Sequence, residues 1–316
     1  MKALITGICG QDGILLSQLL LKSNHEVIGS KLSSEALPVE ISDLNIPIFD
    51  CDIRDKELVA SVLGDTKPDV VFHFAGISSV SQSWIVPSET IQINATGTAN
   101  LISAIVNHSP QVHLINAAST EIFDSESGVI TEDSPLRPLS PYAVSKAAGY
   151  QLVQAFRNRG MAFTNAILSN HESIHRPETF VTGKIARAIA EIGAGRRKFL
   201  EIGDIEVMKD WSSANDIVAG LKSIADEKFV GDLILAYGAP TGIKSLLEYA
   251  FESIGIADFE PYIRVDDSLL RKNESKKMTV SAIKAFEELG WKARTSPREW
   301  MQEMVAYHAE NLAQPS

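Results

Sequence analysis

Tyr142 and Lys146 stand four residues apart in the run Ser140-Pro-Tyr-Ala-Val-Ser-Lys146, a spacing that puts both side chains on one face of a helix. A lysine ammonium beside a phenol favours the phenolate and lowers its pKa, which would make Tyr142 a base for a substrate hydroxyl near neutral pH. Upstream, the run Asn116-Ala-Ala-Ser-Thr-Glu-Ile-Phe123 carries hydroxyls and a carboxylate at the end of an apolar stretch. Ser119 could bond the reacting hydroxyl, and Thr120 is a further contact. Glu121 has two readings. It is either the acid/base of an elimination, which simple hydride transfer does not need, or a solvated residue at the start of a helix. Spacing alone does not separate them. A tyrosine and a lysine four apart are also common by chance, and the pair gains meaning only from what precedes it.

What precedes it is a phosphate cradle. An apolar strand, Ala3 to Ile5, leads into Gly7, Gly10 and Gly13, and an apolar helix follows through Ile14-Leu15-Leu16 and Leu19-Leu20-Leu21. Gly7 allows the turn, Gly10 lets backbone approach a pyrophosphate, and Gly13 lets the helix pack closely on the sheet. Backbone N–H groups and the helix dipole then face the anion. Strand, turn and helix in that order favour nucleotide binding over an ordinary glycine turn. A dinucleotide fold often marks NAD by an acid at the end of the second strand. Here that strand ends Gly29-Ser30-Lys31, with a cation and no carboxylate, so the expectation is NADP, with NAD the alternative. Asp52 falls after the third strand, placed for the adenine edge. Ala75-Gly76-Ile77 follows the fourth and supplies small residues where backbone passes the cofactor.

The elements that must position these groups alternate along the first half of the chain. Strands are expected at 2–6, 26–30, 46–51, 70–75, 112–117 and 162–168, with helices near 14–22, 55–63, 88–107 and 141–158. This predicts an α/β fold: a doubly wound parallel Rossmann-type sheet with a smaller, interwoven α/β substrate lobe. Residues 170–180 are rich in Pro and His, and a long helix runs on to about 194. A further strand at 232–237 returns to the main sheet, and helices are expected at 243–251, 279–289 and 297–311. The cofactor domain is assigned to 1–169 plus about 209–241, and the substrate lobe to about 170–208 plus 242–316.

Composition narrows the class. The 316 residues are 45% apolar and 22% charged, ordinary for a globular protein with a full core. A net charge of −11 without a basic cluster argues against nucleic acid. Two cysteines, Cys9 and Cys51, make neither a disulfide framework nor a zinc site, so no metal is expected. With no signal-like start and no apolar stretch able to span a bilayer, the expectation is a soluble cytoplasmic protein with no membrane partner.

Taken together, these motifs resemble the extended short-chain dehydrogenase/reductase superfamily, and within it the GDP-mannose 4,6-dehydratase family. The resemblance rests on Thr6-Gly-Ile-Cys-Gly-Gln-Asp-Gly13, Ser119-Thr-Glu121, Ser140 to Lys146, Asn170-His-Glu-Ser173, Glu178-Thr-Phe-Val-Thr182 with Lys184, and Lys209-Asp-Trp211, and runs over nearly the whole chain. It implies Tyr142, Lys146, Ser119 and Glu121 as the catalytic set. It implies cofactor contacts from Gly7, Gly10, Gln11, Asp12, Gly13, Lys31, Asp52, Ile53, Ala75, Tyr142 and Lys146. For a GDP-linked nucleotide sugar it implies Ser78, Thr120, Asn170, Glu172, Val181, Lys184, Lys209, Arg271 and Glu274. The implied cycle is redox-neutral. The C4 hydroxyl is oxidised, the ketone acidifies C5, Glu121 removes that proton as water leaves C6, and hydride returns to C6.

Departures from the family pattern cluster around the ligands. Ser119 replaces a Thr and keeps the hydroxyl, whereas Lys209 replaces an Arg and loses a bidentate donor. Gly183, Lys272 and Ile77 stand for Arg, Pro and Gln. The family's Arg-Arg-Ser-Ser, which binds the 2′-phosphate and helps tetramers form, is Lys31-Leu-Ser-Ser34 before a shortened segment. A homodimer through helices 88–107 and 141–158 is the default, with a tetramer as the alternative. Competing functions are a reductase of the 4-keto-6-deoxy sugar, a 4-epimerase, and a non-catalytic NADP-binding regulator. Intact Ser119, Tyr142 and Lys146 speak against the last.

Overall fold

The computed structural model describes residues 1–269 and 277–313. Strand β1 (Lys2–Thr6) enters α1 (Gln11–Lys22) through the glycine turn, followed by β2 (Glu26–Lys31), a short α2 (Val39–Ser42) and β3 (Ile48–Asp50). Then come α3 (Lys56–Thr66), β4 (Val70–His73), α4 (Val80–Ile85), α5 (Pro87–Ile91), a π-turn at Gln92–Thr96, α6 (Gly97–His108) and β5 (His113–Ser119). A two-residue β6 (Val129–Ile130) precedes α7 (Pro141–Arg157), β7 (Phe163–Leu168) and β8 (Asn170–Glu172). The remaining elements are α8 (Val181–Gly193), β9 (Leu200–Ile202), β10 (Met208–Ser213), α9 (Ala214–Asp226), β11 (Asp232–Leu235), β12 (Pro240–Gly242), α10 (Ile243–Glu252), β13 (Ile263–Val265), β14 (Thr279–Val280), α11 (Ile283–Leu289) and α12 (Pro297–Ala313).

Seven strands form one parallel sheet in the order β11-β7-β5-β4-β1-β2-β3. The order reverses between β1 and β4, and ligands in such sheets bind in the crevice at the strand ends there. The strands alternate strictly in what they bury. Ile5, Phe72 and Ile115 pack with Leu16 and Leu20 of α1 and Ile217 and Leu221 of α9. Their neighbours Leu4, Val71 and Leu114 pack on the opposite face with Val59 and Leu63 of α3 and Leu101 and Ile105 of α6. A separate core unites α8, α10 and α12 around Ile189, Leu247, Phe251, Trp300 and Met304. Beside it lie a three-stranded sheet, β12-β10-β8, and the pair β13-β9.

Two sequence expectations change. Residues 279–289 are not one helix: Thr279 and Val280 pair with Val129 and Ile130, and the helix starts at Ile283. The helix expected over 88–107 contains the π-turn, whose wider winding turns Asn94 inward. No helix among the described residues is long and apolar enough to cross a membrane.

Candidate active site

A cavity of about 1040 Å³ opens where β1, β4, β5 and β7 end, and the β8 and β10 sheet and α8 close its far side. Its floor is the glycine turn. Gly7 sits at φ +71°, and a Cβ there would lie 2.8 Å from the Ala75 backbone nitrogen. At Gly13 a Cβ would meet the Ile8 carbonyl oxygen at 2.5 Å, so only glycine lets α1 lie against the turn. No side chain caps α1, which leaves its first-turn N–H groups for an anion.

Two side chains of this turn are tied across the cavity to the segment after β7. Gln11 Nε2 donates to the His171 carbonyl (3.0 Å), and Ser173 Oγ donates to Gln11 Oε1 (2.8 Å). His171 Nε2 lies 3.0 Å from both Asp12 carboxylate oxygens, while its Nδ1 donates to the Ser169 carbonyl at 2.7 Å. Desolvation alone would push the His171 imidazole down, but the Asp12 carboxylate reverses this and holds it above its ordinary value. Desolvation likewise opposes ionisation of Asp12, and the facing His171 overcomes it and keeps the carboxyl below its usual range. Arg176 extends the tie: its Nε donates to Glu172 (2.7 Å), its other arm reaches the His171 carbonyl, and its guanidinium stacks on Phe180 at 4.7 Å.

The catalytic candidates converge on one wall. Ser140 caps α7 by accepting from the Ala143 N–H (3.1 Å), and Pro141 takes the first turn, where its missing N–H costs nothing. Tyr142 and Lys146 therefore face the cavity beside Ser119 and Glu121. Burial pushes the Tyr142 phenol up to about 12, against a downward pull from the Ser119 hydroxyl. Burial pulls Lys146 down to about 8. The Lys146 ammonium donates to the Ala117 carbonyl at 2.9 Å, and burial rather than this lysine sets the direction in which the phenol is pushed. Asn94 holds this arrangement from inside: it bridges both backbone groups of Ile77 (2.8 and 2.9 Å) and Ser145 Oγ (2.9 Å).

Other expected residues sort by where their polar groups go. Lys209, buried on β10, donates to Glu121 Oε1 at 2.9 Å, so it meets a carboxylate and also lines the cavity. Glu172 lines the cavity, but its carboxylate accepts from Arg176 and from Thr182 Oγ1 (2.6 Å). Ser78, Asn170, Val181 and Lys184 line the cavity, as do Ile53, Ala75, Gly10 and Asp52, the last gripped by Arg54 at 2.6 to 3.0 Å. Lys31 lines it too, with its ammonium on Asp50 Oδ1 at 2.9 Å. Thr120 is fully buried and absent from the cavity wall, because the single helical turn after Ser119 rotates it toward the protein interior. Arg271 and Glu274 lie outside the described residues. Sequence reasoning missed Asn94, Arg176 and a site role for His171. A lone asparagine in an apolar helix and an arginine four residues after Glu172 were the available signals.

Residues 4–304 match the family described as GDP-mannose 4,6 dehydratase. The chain belongs to that family. A GDP-mannose 4,6-dehydratase of Sinorhizobium fredii is 32% identical over 333 residues, covering 96% of this chain and 95% of its own. Among solved structures, RMD from Pseudomonas aeruginosa complexed with NADPH superposes with a TM-score of 0.82 at 23% identity, covering 98% of this chain and 100% of that one. The dTDP-glucose 4,6-dehydratase of Bacillus anthracis in complex with NAD gives 0.85 at 19%, covering 98% and 97%. At those identities the two structures speak to the fold, and they share the doubly wound sheet described above.

Proposed function

We propose that this chain, by family a nucleotide-sugar 4,6-dehydratase, converts GDP-mannose to GDP-4-keto-6-deoxymannose in the cavity at the sheet's switch point. A nicotinamide dinucleotide laid over the glycine turn supplies a temporary store for one hydride. Gly10 lets backbone approach its pyrophosphate, Gly7 and Gly13 let the turn and α1 pack closely, and the uncapped start of α1 faces it. Tyr142, assisted by Ser119 and with Lys146 close by, takes the C4 hydroxyl proton as C4 is oxidised. Glu121 takes the C5 proton, which the new ketone has acidified, and passes it to the departing C6 hydroxyl. Hydride at C6 and the Tyr142 proton at C5 complete the product, so the sugar loses one water and no net electrons.

The observation that carries this reading is the convergence of Ser119, Tyr142 and Lys146 with a second, separately held acid/base on one wall. A hydride-transfer enzyme needs the first three. Glu121 is fixed by Lys209 from β10, 88 residues away in the chain, and a carboxylate built in at that cost suits an elimination. Asn170, Val181 and Lys184 line the same cavity and suit a sugar diphosphate, the lysine offering charge to the phosphates.

The test is mass spectrometry of the product after incubation with GDP-mannose and catalytic amounts of dinucleotide. A product lighter by one water, with no net change in the reduced dinucleotide, is expected. An unchanged mass, or reduced dinucleotide consumed one for one, would replace this reading with an epimerase or a ketosugar reductase.

A further inference from the structure

We propose that the adenosine end of the cavity selects NAD over NADP, with Glu35 as the residue that reads the ribose 2′ position. The inference rests on the dinucleotide reading above and concerns which dinucleotide this chain takes.

Lys31 is the cation that the sequence offers to a 2′-phosphate, and the fold gives it another partner. β2 and β3 pair in parallel with Lys31 opposite Asp50, so the sheet register itself sets the two side chains together. The ammonium donates to Asp50 Oδ1 at 2.9 Å and to the Leu32 carbonyl at 3.0 Å. The next cation at this end, Arg54, is held by Asp52 at 2.6 Å and faces Glu89 at 3.9 Å. Glu35 lines the same end of the cavity, four residues beyond the end of β2. Its carboxylate approaches the Cys9 thiol of the glycine turn, where it joins burial in pushing that thiol up to about 11. Glu35, Asp52 and Glu89 line the cavity with Lys31 and Arg54, and Asp50 stands beside Lys31, so the carboxylates here outnumber the cations.

The two ligands differ there in one group. A ribose 2′-hydroxyl donates a hydrogen bond, which a carboxylate after the second strand accepts. A 2′-phosphate brings close to two negative charges and only acceptors, and it would meet carboxylates whose neighbouring cations are already engaged.

Fluorescence titration of the full-length protein with NADH and with NADPH tests this without turnover. NADH should bind at least about tenfold more tightly, the scale of a like charge placed against a carboxylate. Glu35 is on an exposed loop, so Glu35→Ala leaves the fold intact and should cut the ratio toward one by weakening NADH. Asp50→Asn, which releases Lys31, should instead strengthen NADPH. Equal or tighter NADPH binding by the unaltered protein would overturn the proposal, as would a ratio untouched by Glu35→Ala. Binding of neither ligand would sink the dinucleotide reading itself and is distinguishable from both.

Discussion

Tyr142 and Glu121 divide the proposed chemistry, and their surroundings differ accordingly. Tyr142 is buried, its phenol pushed up to about 12 by desolvation, whereas Glu121 lines the cavity and is held by the Lys209 ammonium. Tyr142→Phe removes only the group that takes the first proton. Its kcat should fall by about 10²- to 10⁴-fold, the usual contribution of a positioned proton acceptor. Glu121→Gln keeps the size and a hydrogen bond to Lys209 but cannot take the C5 proton. That variant should oxidise C4 and stop, so reduced dinucleotide accumulates on the enzyme and no dehydrated sugar forms. Normal dehydration by Glu121→Gln would show that the residue is the solvated bystander of the alternative sequence reading.

Between elements, the Asp12–His171 pair joins the start of α1 to β8 and so links the cofactor turn to the substrate side. His171 is raised above its ordinary value of 6.5, so its stabilisation is complete below that pH and is lost as pH rises through the raised value. Asp12 is lowered from 3.8, so its share is present above that pH and is lost as pH falls through the lowered value. The tie is therefore complete between the two ordinary values, 3.8 and 6.5, and loosens on the alkaline side when the imidazolium deprotonates. Thermal denaturation across pH should show an alkaline fall in Tm that His171→Asn flattens. Equal alkaline slopes for the two proteins would mean that the pair contributes nothing to that limb. Sequence spacing gave no hint of this tie, because its partners are 159 residues apart.

For the whole molecule, an apolar patch is left on the outside of the helices that flank the active site. Trp84 and Ile85 of α4 are 61% and 80% exposed, and Ile91 of α5 and Val144 of α7 are also exposed. By contrast Leu101, Ala104 and Ile105 of α6, in one of the helices expected at a dimer interface, are buried against the sheet. We propose that a second copy covers these residues, with helices packing across a two-fold axis. A dimer is expected by size-exclusion chromatography with light scattering, and Trp84→Glu should shift it to monomer. A monomeric unaltered protein would remove the dimer from this account.

Local rules made much of this protein legible before any coordinates. Gly7 and Gly13 had to be glycine for backbone reasons, Ser140 and Pro141 announced the start of α7, and short apolar runs marked the parallel strands. Each of those signals lies within a few residues of what it specifies. Tertiary structure alone decided that Lys31 meets Asp50, that Lys209 grips Glu121 and that His171 closes on Asp12. It also turned Thr120 into the interior and broke the expected helix at 279 in favour of a strand pairing with Val129. Charges act on whatever the fold brings within a few ångströms. Sheet register and crossovers choose those neighbours, and they join residues too far apart in the chain for any spacing rule to see.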